Sequence, residues 1–160
     1  MKLRYVLLGF CIFWVLGCSN LSDMRFSQGF AKEKQMQLTR KADVIVDGRT
    51  IMSAFCIYLN ELKPDVYQGG EYFVVELSSE EKVSAKALRF LLFDQPPVEV
   101  KEIVKNPNHL QEFQKHSQWN QLFLVRFAPV WQADIPKLAL LVEVDKFAMK
   151  FDYSYRINQR

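Results

Sequence analysis

The chain is poor in the residues on which most recognisable catalytic and metal motifs depend, with 3 Cys, 6 Gly, 6 Pro and 2 His in 160 residues. Few Gly and Pro, together with charges of both signs, exclude collagen-like repeats and low-complexity disorder for the bulk of the chain. No C-x-x-C, no G-x-S-x-G and no Gly-rich phosphate loop is present, so redox, nucleophile-elbow and phosphate-cradle chemistries have no motif here. A Ser-His-Asp set would need His109 or His116, and neither is flanked by residues that suggest one. Glu80-Glu81 and Asp134 fall in expected loops, with no sign of the tuned carboxylate pair that sugar hydrolysis needs. What the chain does have is 49% apolar and 14% aromatic residues, enough to fill the core of one globular domain of this length.

Long hydrophobic runs are also scarce, and the one at the N-terminus has a distinctive form. Met1-Lys2-Leu3-Arg4 carries two positive charges and no acid, and Tyr5 to Leu16 then contains no charged residue. A basic start, an apolar middle and a small residue at the end make a secretory signal. The run is short for a membrane-spanning helix, which needs roughly 20 apolar residues. It stops at Gly17, with Ser19-Asn20 beyond.

The end of that run, Val15-Leu16-Gly17-Cys18, resembles the lipobox of bacterial lipoproteins, with Val15 where leucine is commoner. The resemblance covers about the first 20 residues and implies cleavage before Cys18, diacylglycerol on its thiol and acylation of the freed amine. Ser19 follows, where Asp would favour inner-membrane retention in enterobacterial lipoproteins, so the resemblance implies an outer-membrane destination. Several acyl chains on one residue suffice to hold a protein on a bilayer. The expectation is therefore a signal peptide over 1–17, a lipidated N-terminus and tether over 18–41, and a folded domain over 42–160.

Cleavage removes Lys2 and Arg4 and no acid, so the net charge falls by two from +3. No basic stripe with interleaved aromatics remains to suggest nucleic acid. Cys11 leaves with the signal and Cys18 is lipidated, which leaves Cys56 alone in an apolar run, best read as a small core residue. Asn20-Leu21-Ser22 matches the glycosylation triplet and is read as chance.

Beyond the tether the texture turns to short β-type runs separated by turn residues. Asp43 to Asp47, Thr50 to Leu59 with Ile51, Phe55, Ile57 and Leu59 on one side, Tyr72 to Leu77, Val98 to Val104 and Leu122 to Phe127 read as strands. Ala87 to Phe93, apolar at nearly every position, suits a strand covered on both faces. Asp47-Gly48 and Asp145-Lys146 read as hairpin turns. Phe147, Met149, Phe151, Tyr153, Tyr155 and Ile157 alternate with polar or small residues, giving one core face and one wet face. About eight short strands predict a mainly β fold, an antiparallel β-sandwich of immunoglobulin-like or transthyretin-like kind. Asn108 to Trp119, with Asn108 as cap and Gln111 at the capping-box position, is the one expected helix. With that helix laid across a sheet, an α+β fold is the alternative.

His109, Glu112 and His116 would share a stripe of that helix. Two His seven residues apart stand roughly 10 Å apart along the axis, too far to share one ion easily. A solvated face with a Glu112 to His116 pair is the simpler reading, so no metal and no cofactor are expected. Trp119, Phe123, Phe127 and Trp131 are close in sequence, and Tyr153 and Tyr155 lie near the C-terminus. Most of these suit a sandwich interior, while Trp119 and Trp131 are the candidates for an exposed contact patch. The expectation is a non-enzymatic outer-membrane lipoprotein, attached through lipid, whose sandwich binds an envelope protein. An assembly lipoprotein of a secretion machine, similar in outline to the type VI secretion lipoprotein, and a small-ligand or metal binder are the alternatives.

Overall fold

The computed structural model describes residues 32–104, 113 and 116–154. The chain divides into two compact units, Met1–Gln37 and Leu38–Arg160. In the first, residues 32–37 are helical, and Gln37 bonds back one turn to Glu33. Cys18 and the expected signal over 1–17 lie outside the described residues, as do Tyr155 and Ile157. No helix among the described residues is long and apolar enough to cross a membrane.

The second unit is mainly β, with eight described strands: β1 Thr39–Val46, β2 Arg49–Tyr58, β3 Glu71–Ser79, β4 Leu88–Leu92, β5 Glu99–Glu102, β6 Gln121–Phe127, β7 Ala139–Val144 and β8 Phe147–Asp152. They form a five-stranded sheet of order β1-β2-β3-β6-β5 and a three-stranded sheet of order β4-β7-β8, antiparallel throughout. A short helix, α1 (Leu59–Leu62), follows β2, and a 3-10 turn, Ile135–Lys137, precedes β7.

Turn chemistry sets the hairpins. Asp47 and Gly48 both take positive φ, 49° and 74°, the arrangement of a two-residue turn whose twist matches its strands. Asp145 does the same between β7 and β8 at φ 51°. Phe93 and Asp94 (φ 50° and 62°) make a third tight turn after β4, closed by reciprocal Leu92–Gln95 backbone bonds of 3.0 Å each way. Gly70 is required for a different reason: a Cβ there would stand 2.6 Å from the Phe127 carbonyl. Side-chain bonding by Asn60 fixes the same spot, its Nδ2 donating to Gly70 C=O and its Oδ1 accepting from the Tyr72 N–H.

The two sheets share one core. Ala54, Cys56, Phe73, Val75, Phe123 and Val125 of the larger sheet are buried against Phe90, Leu140, Val142, Met149, Phe151 and Tyr153 from the smaller one and its C-terminal extension. Alternation along β3 and β6 is what sends these residues to one side, and removing one such ring, Phe73→Ala for example, costs about 3–5 kcal/mol. A second apolar cluster covers part of the opposite face of the larger sheet, where Leu38, Leu59, Tyr67, Ile103 and Phe113 pack on Ile57, Val74 and Leu122.

Three expectations need correction. Folded structure begins before residue 42, since Leu38 is buried and β1 starts at Thr39. β2 has apolar residues on both sides: Met52, Ala54, Cys56 and Tyr58 face the inter-sheet core, and Ile57 faces the second cluster. β4 is covered on one face, with Leu88, Phe90 and Leu92 buried while Arg89 points outward to Glu143 at 3.0 Å. β8 has the expected alternation, with Met149 and Phe151 buried and Ala148, Lys150 and Asp152 exposed.

Candidate functional site

β3 contributes two buried carboxylates, Glu71 and Glu76, which the alternation of the strand sends to opposite faces of the larger sheet. Glu76 lies on the outer face, opposite Phe55 of β2 and Leu122 of β6. Its Oε1 accepts from the His116 backbone N–H and from Asn120 Nδ2, each at 2.7 Å. Its Oε2 is 2.7 Å from His116 Nδ1. A buried carboxylate needs such partners, since leaving its oxygens bare would cost several kcal/mol.

The His116 ring lies flat on Phe55, with centroids 4.1 Å apart and planes 14° from parallel. With Nδ1 held by Glu76, Nε2 is the nitrogen left to solvent on a side chain that is 56% exposed. Lys41 Nζ stands 5.9 Å from the Phe55 centroid and 2.9 Å from Asp43 Oδ2, and Ser53 donates to Asp43 Oδ1 at 2.6 Å. The Ser53 hydroxyl, and then Lys41, hold Asp43 below the ordinary carboxylate range. The outer face is therefore apolar at the end near Leu38 and Leu59, carries Glu76 and His116 at its middle, and is charged near Asp43.

Residues 116–120 form bends and turns where a helix over Asn108 to Trp119 was expected. The reason is the sheet beneath: three bonds to one carboxylate fix this segment more strongly than local helix propensity. His109, Glu112 and the rest of 105–112 lie outside the described residues. His116 pairs with Glu76, a partner 40 residues earlier in the chain. No group of three potential metal ligands occurs among the described residues.

Glu71 works on the inner side. Tyr58 Oη donates to its Oε2 at 2.5 Å and the Val130 N–H donates to its Oε1 at 3.1 Å. Thus each buried glutamate of β3 ties down one of the loops flanking β6, the strand beside it. Trp119 is carried by the loop that Glu76 holds and is 84% exposed; Trp131 follows Val130 and is 77% exposed. They stand off opposite ends of β6, a strand about 20 Å long, so they belong to different ends of the sheet. Phe123 and Phe127, between them, are buried, as is Tyr153.

Cys56 forms no disulfide and is fully buried on the inner face. Burial pushes its thiol up to about 12, against the weaker opposing effects of a Tyr153 hydrogen bond and the Arg40 charge. It is an inert core residue.

The glutamates and Asn120 had no signal in the sequence, because what singles them out is their burial and their partners across strands. No protein-family model matches the chain, and comparison with curated proteins and with solved structures gives no match either.

Proposed function

We propose that the chain is a lipid-anchored lipoprotein of the bacterial outer membrane, and that its sandwich is a non-enzymatic docking module for an envelope protein. One observation carries the docking part: β3 places a buried glutamate under each loop that presents an exposed indole. Large exposed aromatics on a loop fixed in advance lose little conformational freedom on binding, which is what makes indoles strong anchors at interfaces. The anchor rests on the basic start, the apolar run and Val15-Leu16-Gly17-Cys18.

Palmitate labelling with membrane fractionation, comparing the intact chain with Cys18→Ala, tests the anchor. Label and membrane attachment should be lost together in the variant. Unlabelled protein in the soluble fraction for both would overturn it. Cross-linking in the envelope then tests docking: a defined adduct should weaken at least tenfold in Trp119→Ala or Trp131→Ala, the loss expected of an interface anchor. Adducts that neither variant changes would refute the docking role of the indoles.

A further inference from the structure

β5 is one edge of the five-stranded sheet, and its composition fits a copy of itself. Among the described residues it pairs with β6 alone, Glu99 to Glu102 against Arg126 to Phe123. The Ile103 N–H bonds to the Leu122 carbonyl at 2.7 Å. Counting back from that bonded pair, Lys101 and Glu99 also turn their backbone groups toward β6, and Val100 and Glu102 turn theirs to the open side. Val100 lies opposite buried Val125 and so shares the inner face, yet it is 38% exposed, and Val98 is 58% exposed. The Val98 N–H bonds to the Arg126 carbonyl at 2.7 Å, the residue paired with Glu99, so the regular alternation of β5 ends at Glu99 and Val100 is a partly open residue of its inner face. Glu99 and Lys101 project on the outer face, 2.8 Å apart.

We propose that β5 pairs antiparallel with β5 of a second copy about a two-fold axis at Val100, joining two five-stranded sheets into one of ten. The register follows from the residues. A two-fold axis at Val100 sets Val100 opposite Val100, with outward N–H and C=O groups meeting each other, and keeps inner faces continuous. It also sets Glu99 opposite Lys101 of the second copy twice over, once on each side of the axis. Opposite charges directly across an antiparallel pair stabilise it and like charges destabilise it. The other edges fit a copy less well. Arg40 of β1 is committed to β8, its Nε donating to the Asp152 carbonyl at 3.0 Å. β4 carries Arg89 and no acidic residue of its own, so a β4–β4 pair would offer that cation no acid across the strands. A pairing this short buries less than the roughly 1,200 Å² of a stable complex, so the affinity is micromolar or weaker.

Sedimentation equilibrium of the full chain, 18.8 kDa, in a density-matched neutral detergent tests this from micromolar to submillimolar concentration. The wild type should dimerise with concentration. Lys101→Glu alone puts acid opposite acid, and Glu99→Lys alone puts base opposite base, so each should weaken self-association about tenfold or more. Mixed in equal amounts, the two variants should dimerise again, because each now presents the charges the other lacks. Lys41→Glu, a charge reversal on β1, should behave as the wild type. A wild type that stays monomeric throughout would overturn the proposal. So would a dimer indifferent to Lys101→Glu, a mixture that fails to associate, or a dimer lost in Lys41→Glu. None of these outcomes depends on the fate of Cys18.

Discussion

The two faces of the five-stranded sheet are built from the same strands and have different tasks. On the inner face Cys56, Phe73, Val75, Phe123 and Val125 meet the smaller sheet, and a buried carboxylate there, Glu71, sits at the start of β3 beneath Tyr58 and Val130. On the outer face the apolar cover around Leu59 and Phe113 gives way to Glu76, with His116 stacked on Phe55 and half open to solvent. Burial of apolar area makes the first face the source of stability. The second uses a buried charge to fix one surface loop in place. A polar group buried at such cost is better explained by the position it specifies than by the energy it adds.

From that contrast the largest effect belongs to the outer face. Glu76→Ala leaves the His116 N–H and Asn120 Nδ2 without their shared acceptor and should cost about 3 kcal/mol in urea unfolding. The loss should be local as well as global, with faster amide hydrogen exchange over 116–120 than elsewhere. A cost under about 0.5 kcal/mol with unchanged exchange would mean that the loop is held by something else, and the comparison would collapse. On the inner face Tyr58→Phe removes one donor from Glu71 and leaves the Val130 bond in place. About 2 kcal/mol is expected there, with exchange at 116–120 unaltered.

How far each face could be read in the sequence follows from the same physics. β8 was legible because strict alternation from Phe147 to Asp152 needs only local information. The Asp47-Gly48 and Asp145-Lys146 turns were legible because Asp47, Gly48 and Asp145 tolerate the positive φ they adopt. β4 misled, since Leu91 and Phe93 extend an apolar run that the structure buries on one side only. Residues 116–119 misled more. They were expected to end a helix, but Glu76, remote in sequence, captures His116 and Asn120 in a turn. Tertiary contact overrides local propensity in such places. The exposure of Trp119 and Trp131 was anticipated as a patch, whereas their placement at opposite ends of β6 required the strand pairing.

The sealed character of the inner face has its own, smaller test. In the folded chain burial pushes the Cys56 thiol up to about 12 from its ordinary 9.0. The thiol is therefore neutral in the fold at pH values where the unfolded chain binds fewer protons. Stability from this group is fully present below pH 9 and declines as pH rises between 9 and 12. The loss should still be under about 1 kcal/mol at pH 9.5. Alkylation at pH 8.5 should label Cys56 in denaturant and leave it untouched in the native state. Native labelling at the denatured rate would mean the sheets do not close over it.

The smallest stability effect separates fold from function at the loops themselves. Trp119 and Trp131 are exposed side chains on segments whose positions are set by bonds to Glu76 and Glu71. Substituting either by alanine removes none of those bonds, so unfolding free energy should change by no more than about 0.5 kcal/mol. Envelope cross-linking should nevertheless fall in one or both, while Tyr58→Phe, well below its unfolding midpoint, should reduce only the adducts that depend on Trp131. That asymmetry distinguishes a rigid aromatic anchor from a loop whose indole is merely exposed. If Trp131→Ala destabilised the fold as much as Tyr58→Phe does, the indole would be part of the packing at that end, and the docking surface would narrow to Trp119 and the His116 face.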